Sequence, residues 1–335
     1  MTWTISQPQR TGVAEGAEEI RRPGAQGPSA ICTLFERDFH FGVGALVNSL
    51  YAHGYRGLVY AGYRGQPPPW ARAASGPGAE DVSWSVDGLE IRFVPVRTRR
   101  HLTNFKPDFM RMIWDEQCPD ARLLFYFDPD IVVQCRWSFF EEWAEKGVAL
   151  CEEITNGNMP RNHPIRLAWL DLLDGAGMRC VRPVDRYYNG GFIGLRRDSD
   201  ELLSVWARLM DALEENHVAV ERMMPGDRSD PFYATDQDML NAAVMASDAP
   251  LSTIGPEGMG FVPGGFTMLH AVGTPKPWRQ RMTLDALRGR GPGNADKGFW
   301  RYTQGPVPLY SSPRRAIKLL DLKIGAAIGR VLRRA

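Results

Sequence analysis

Leu123-Leu124-Phe125-Tyr126-Phe127 runs without a break into Asp128-Pro129-Asp130. Five consecutive apolar residues without alternation suit a strand buried on both faces, as found inside parallel α/β sheets. Such a strand ends where two carboxylates begin, so both acids are delivered to its C-terminal edge. Ligands of open α/β sheets bind at that edge. Two carboxylates so close repel each other unless a cation lies between them, and oxygen donors suit Mg²⁺ or Mn²⁺. A second stretch, His270-Ala271-Val272-Gly273-Thr274-Pro275-Lys276-Pro277-Trp278, begins 142 residues after Asp128. It supplies an imidazole, a small-residue turn and a lysine, the parts that would complete a metal–diphosphate site.

The surrounding pattern predicts alternating strands and helices. Strands are expected at 30–35, 57–61, 89–96, 148–151 and 191–195, with helices at 41–53, 109–116 and 201–215. This alternation argues an α/β sandwich with a largely parallel sheet. Residues 1–28 are polar and rich in Gly, Pro and Glu, and read as a loosely ordered arm. A catalytic domain is expected over 29–310, followed by a basic amphipathic helix over 311–335.

Composition narrows the function classes. A formal net charge of +1 gives no reason to expect a nucleic-acid partner. The five cysteines are scattered, with no C-x-x-C pair, as expected of reduced thiols in a cytoplasmic protein. No N-terminal apolar stretch reads as a signal peptide, and no run is long enough to predict a membrane span.

The charge is nevertheless uneven. Residues 311–335 carry Arg314, Arg315, Lys318, Lys323, Arg330, Arg333 and Arg334 against Asp321 alone, leaving the rest of the chain net acidic. Ile317, Leu320, Ile324, Ile328 and Val331 recur at helical spacing, whereas Leu319 and Leu322 fall off that stripe. A helix with this face suits an anionic membrane surface, which would place the protein peripherally on the inner face of the plasma membrane. The alternative is a terminal helix packed on the body with its charges solvated.

Gly42-Val43-Gly44 is not followed by the third glycine of a dinucleotide fingerprint. There is likewise no phosphate-loop motif, no H-E-x-x-H and no G-x-S-x-G. What is present, in order, is Asp128-Pro129-Asp130, Asn189-Gly190-Gly191, Asp236-Gln237-Asp238 and His270…Gly273…Lys276-Pro277-Trp278. Over residues 30–280 this set resembles the GT-A glycosyltransferases, and most of all glycosyltransferase family 8, which includes glycogenin and bacterial lipopolysaccharide galactosyl- and glucosyltransferases. The resemblance implies a GT-A type Rossmann-like sandwich with a mixed, mainly parallel central sheet. It also implies a metal-dependent enzyme that moves a hexose from a nucleotide diphosphate sugar, usually a UDP-sugar, with retention, to a glycan or lipid-linked acceptor.

The resemblance further implies roles for single residues. Asp128 would touch the ribose and the metal, Asp130 would bind the metal directly, and His270 would be the third ligand. Mixed imidazole and carboxylate ligation favours Mn²⁺ over Mg²⁺. Lys276 would neutralise the diphosphate, and Gly273 would let the backbone approach it. Pro277 and Trp278 would fix the loop. Asp236 would hold donor hydroxyls, Gln237 would lie nearest the sugar's β-face, and Asn189, with Gly191 beside it in N-x-G, would line the pocket. Asp236 and Asp238 could equally cap a helix beginning near Met239. Glu153, with Glu152 as its rival, is placed as a further acid of the sugar pocket.

Thr33 and Glu36 would lie where the base binds, although Glu36-Arg37-Asp38-Phe39 departs from the family's D-D-x-Y-like sequence there. Arg111 and Lys106 compete for a donor-contacting cation. Residues 154–188 and 217–235 match no known pattern and are assigned to the acceptor. Two other readings stay open: a haloacid-dehalogenase-like phosphatase using Asp128-Pro129-Asp130, and a non-catalytic sugar-nucleotide-binding protein.

Overall fold

The computed structural model describes residues 29–75, 82–154 and 159–332, so the arm expected over 1–28 lies outside them. The first half of the chain forms strand β1 (Ser29–Glu36), helix α1 (His40–Ala52), β2 (Leu58–Arg64), α2 (Pro69–Ser75), β3 (Ser83–Val86), β4 (Leu89–Pro95), α3 (Lys106–Met112), β5 (Leu123–Phe127), β6 (Ile131–Val133), α4 (Trp137–Ala144) and β7 (Val148–Cys151). The second half forms α5 (Pro164–Gly175), β8 (Phe192–Arg196), α6 (Glu201–Glu215), α7 (Thr235–Ala246), β9 (Leu251–Ile254), β10 (Met268–His270), α8 (Met282–Leu287), α9 (Asn294–Arg301) and α10 (Ser312–Leu332).

Eight strands form one sheet in the order β3-β4-β2-β1-β5-β8-β7-β9. β1 pairs in parallel with β2 and β5, β2 with β4, and β7 with β9, while β3–β4, β5–β8 and β7–β8 are antiparallel. The sheet is therefore mixed and mainly parallel.

Strand periodicity explains the two cores. On β5, Leu124 and Tyr126 join one buried cluster with Trp169, Trp206 and Met239, while Leu123, Phe125 and Phe127 join another with Val43, Trp137 and Phe140. Side chains alternate between the faces of a strand, so a continuous apolar run is buried on both sides, here under α3, α5, α6 and α7 on one face and α1 and α4 on the other.

Two sequence expectations shift. The helix expected at 109–116 begins at Lys106 and passes through a wider turn over Ile113–Gln117. Residues 164–175, within a stretch left unassigned to any element, form α5 behind a proline at its first turn.

Candidate active site

The site forms where β5 ends. The backbone N–H of Asp128 donates to the Gly191 carbonyl at 2.7 Å, carrying the β5–β8 ladder one step past the strand and bringing Asn189-Gly190-Gly191 beside the acids. β6 follows Asp130 directly and pairs antiparallel with β10, with Ile131 opposite His270. That register places an imidazole against carboxylates far away in sequence. His270 Nε2 lies 3.3 Å from Asp130 Oδ1 and 3.8 Å from Asp128 Oδ2. Donor atoms of Asp128, Asp130 and His270 all lie within 4.8 Å of one another.

The packing leaves room for this cluster only because two neighbours are glycines. A Cβ on Gly191 would stand 2.5 Å from His270 Cε1 and 3.0 Å from Asp128 Oδ2. A Cβ on Gly42 of α1 would stand 2.1 Å from the Pro129 carbonyl oxygen, so α1 presses its bare backbone against the turn that carries both acids. Gly42-Val43-Gly44, which lacks the dinucleotide pattern, thus has a packing reason for its first glycine.

Three carboxylates here are balanced by two lysines. Lys106 is almost wholly buried at 1% side-chain exposure. Its ammonium donates to Asp236 Oδ2 at 2.7 Å and the Gly190 carbonyl at 2.9 Å, and lies 3.2 Å from Asp128 Oδ1. Burial alone would lower its pKa, but Asp128 and Asp236 outweigh that and hold it above the ordinary lysine value. Lys276 donates to Asp130 and to the Ala271 carbonyl. Burial pushes the Asp130 carboxyl up, and His270 and Lys276 together overcome it, holding the acid well below the usual carboxylate range.

The sugar-pocket candidates form a second, contiguous network. Asn189 donates to Glu153 and accepts from Gly191 N at 2.8 Å. Gln237 Oε1 accepts from Gly190 N at 2.8 Å. Glu153 is buried and faces Asn189, whereas Glu152 lies near Arg186 at 3.6 Å. The helix expected to begin near Met239 begins at Thr235, so Asp236 and Asp238 both lie in its first turn. Asp238 accepts from Ala234 N at 2.8 Å, capping α7, and from the Tyr187 hydroxyl at 2.6 Å, while Asp236 faces Lys106. Burial pushes Asp238 up to about 7, against both of those hydrogen bonds.

Other candidates lie further out. Arg111 is exposed on α3, so Lys106 is the cation that joins the cluster. Glu36 pairs with Arg64, its Oε2 accepting from Arg64 Nε at 2.9 Å, and the hydroxyl of Thr33 is buried without a hydrogen-bond partner. Gly273 has φ +82°, with open space where a Cβ would be. Trp278 is packed edge-on to Phe39 and donates to Asp38 at 3.1 Å.

Sequence reasoning passed over Asp38, which also takes both nitrogens of an Arg279 fork and so ties the end of β1 to the lysine loop. It also passed over Tyr126, whose hydroxyl donates to Asp128 at 3.0 Å, and Asn241, which bonds both backbone groups of Tyr188. Tyr126 could have been found, since it stands two residues before Asp128 and so on the same strand face.

The three donors fit a divalent cation. Two carboxylates and an imidazole converge at one sheet edge, and three protein ligands leave positions for a substrate's oxygens. His270 Nδ1 is buried without a hydrogen-bond partner, leaving Nε2 as the nitrogen aimed at both acids.

No family model matches the chain, and no curated protein matches it. Among solved structures, the chain is similar to the apo structure of a WbbM bifunctional glycosyltransferase, with a TM-score of 0.52 at 14% identity. The likeness covers 90% of this chain and 53% of that one, so the chain spans about half the length of that neighbour. At this identity the shared property is the fold, an α/β sandwich around a mixed, mainly parallel sheet.

Proposed function

We propose that this chain is a metal-dependent glycosyltransferase related to family 8, moving a hexose from a UDP-sugar to a glycan or lipid-linked acceptor with retention. The observation that carries the reading is the meeting of Asp128, Asp130 and His270 at the sheet edge with Lys276 beside them. The catalytic unit in this reading is 29–310, acting in the cytoplasm at the inner face of the membrane.

Asp128, Asp130 and His270 would hold Mn²⁺ or Mg²⁺, which when bound acts as a Lewis acid on the departing diphosphate. Lys276 swings from Asp130 to the phosphates and stabilises the charge that develops there. Lys106 keeps Asp236 and Asp128 in register across the gap between β5 and α7. Asp236, Asn189 and Glu153 meet the donor's hydroxyls, and Gln237, fixed by the Gly190 amide, lies nearest the sugar's β-face. Thr33 and Glu36 at the end of β1 flank the base.

The test is hydrolysis of a panel of nucleotide sugars without acceptor, with and without Mn²⁺. Metal-dependent release of UDP that is abolished in Asp130→Ala and His270→Ala is the expected result. Near-wild-type activity in either variant at ordinary metal concentrations removes the metal assignment. Release of phosphate from a simple phosphomonoester favours the phosphatase reading instead, and binding without turnover the non-catalytic one.

A further inference from the structure

The C-terminal helix is docked by the side opposite the stripe that its sequence advertises. Leu322 and Gly325 of α10 are buried against α8, where a Cβ on Gly325 would stand 2.5 Å from the Met282 carbonyl oxygen. Gly329 meets Gly291 in the same way, with a built Cβ 3.0 Å from its Cα. Asp321 accepts from the backbone N–H groups of Met282 and Thr283, each at 3.0 Å, and so caps the start of α8.

This docking turns the apolar stripe to solvent. Ile317, Leu320, Ile324 and Val331 are 69%, 58%, 41% and 67% exposed, with Ile328 partly so. At 3.6 residues per turn these five fall within an arc of about 80° on the side away from Leu322. Lys323 and Arg330 flank the arc on one side and Arg314 on the other, and neither Lys323 nor Arg330 has an ion pair among the described residues.

We infer that this outer face of α10 is a docking surface for an anionic lipid leaflet. An apolar arc with cations on both flanks is the pattern of a helix lying in the headgroup boundary, its long basic side chains reaching up to the phosphates. The helix's one acid is held at α8 by backbone amides, and Arg314, Arg315, Lys318, Lys323 and Arg330 outnumber it, so α10 is net positive. A second copy would bring the same cations to the same face, and like charges oppose that pairing. The net acidic remainder of the chain is repelled by the leaflet, so α10 faces it and the body does not. The contact also reaches the proposed site. Lys318 donates to the Gln280 carbonyl at 3.1 Å, and the Gln280 amide donates to the Pro275 carbonyl at 3.0 Å, one residue from Lys276. The lysine loop is thereby tied to α10. Only the benefit to a lipid-linked acceptor rests on the proposed transferase; the membrane contact does not.

The test is co-sedimentation of the full chain with vesicles of phosphatidylglycerol and phosphatidylcholine in equal parts, and with phosphatidylcholine alone, at low and high salt. Binding to the anionic vesicles that weakens with salt is expected. Leu320→Glu with Ile324→Glu should abolish it with an unchanged circular dichroism spectrum. Lys323→Gln and Arg330→Gln, which leave the apolar arc intact, should each weaken it roughly fivefold. No binding of the wild type at low salt overturns the inference, as does binding that both sets of variants leave unchanged. A dimer by light scattering that the glutamates dissociate, with no vesicle binding, assigns the face to a second copy and overturns it too. Donor hydrolysis in solution should persist in all these variants, so its absence from the wild type counts against the transferase and not against the membrane surface.

Discussion

Lys276 and Asp238 illustrate how differently two charged residues of one site are used. Lys276 rests on Asp130 and the Ala271 carbonyl. In the proposed reading the ammonium would meet the phosphates and not the hexose, so replacement by Ala should weaken UDP and the UDP-sugar alike. A charge-assisted contact is worth roughly 1.5–3 kcal/mol, so calorimetry should show about a ten- to hundredfold loss. Unchanged UDP affinity would take the lysine out of the site. Asp238 acts on stability instead. Burial raises its folded pKa to about 7, above the value of about 4 for an unfolded chain. The folded state therefore binds the proton more tightly, and the stability linked to it is complete below about pH 4 and is lost as pH rises to about 7. Thermal melts should show wild type falling relative to Asp238→Asn across that window; parallel pH profiles for the two proteins would show that Asp238 is ionised throughout. The clustering of Asp128, Asp130 and His270 with Lys276 was legible in the sequence because each sits in a short motif whose chemistry does not depend on helix phase. The choice between Lys106 and Arg111 was not. Both lie on one helix, whose packing turns Lys106 inward to Asp236 and Arg111 out to solvent.

At the scale of elements, the site depends on strands too short to announce themselves. β6 and β10 have three residues each, and three residues carry no usable periodicity, yet their pairing brings His270 to Asp130. The long elements were readable for the opposite reason: β5 and β1 are unbroken, mainly apolar runs, and α6 presents enough consecutive positions to show its period. The glycines that let elements approach were visible only as residues, not as contacts. Gly191 is the sharpest case, since β8 reaches Asp128 through it and its missing side chain leaves the space that His270 fills. Gly191→Ala puts a methyl 2.5 Å from His270 Cε1. The imidazole has to move, at a cost of about 1–3 kcal/mol in folding stability. Mn²⁺ titration should show affinity reduced at least about tenfold, the usual consequence of disturbing what orients a ligand. Wild-type Mn²⁺ affinity in this variant would mean that His270 does not bind the metal.

Across the whole molecule, the proposed ligands stand where two sheets meet. Asp128 and Asp130 end the central strand, while His270 belongs to a small separate sheet that leads through the lysine loop to α8 and α10. The tail shows how far a pattern can be read at this scale. Its amphipathic stripe was evident from spacing, but the off-stripe residue Leu322 became the docking side, because Gly325 and Gly329 let α10 approach α8 and Gly291 more closely than the larger stripe residues would. Truncating α10 would uncap α8 and bare Met282, so it does not cleanly test either membrane or donor binding. Metal binding does test the whole assembly. A cation bound by both sheets at once stabilises the folded state by mass action, by about 2.7 kcal/mol at a hundredfold excess over its dissociation constant. Mn²⁺ should therefore raise the melting temperature, and Mn²⁺ with UDP should raise it further, since UDP brings oxygens to the open positions and phosphates to Lys276. UDP without metal should have a much smaller effect. Asp130→Ala should abolish the Mn²⁺ shift, although its own melting temperature also changes because Lys276 and His270 lose their partner. A Mn²⁺ shift of wild-type size in Asp130→Ala would place the cation elsewhere and detach the two sheets from the proposed chemistry.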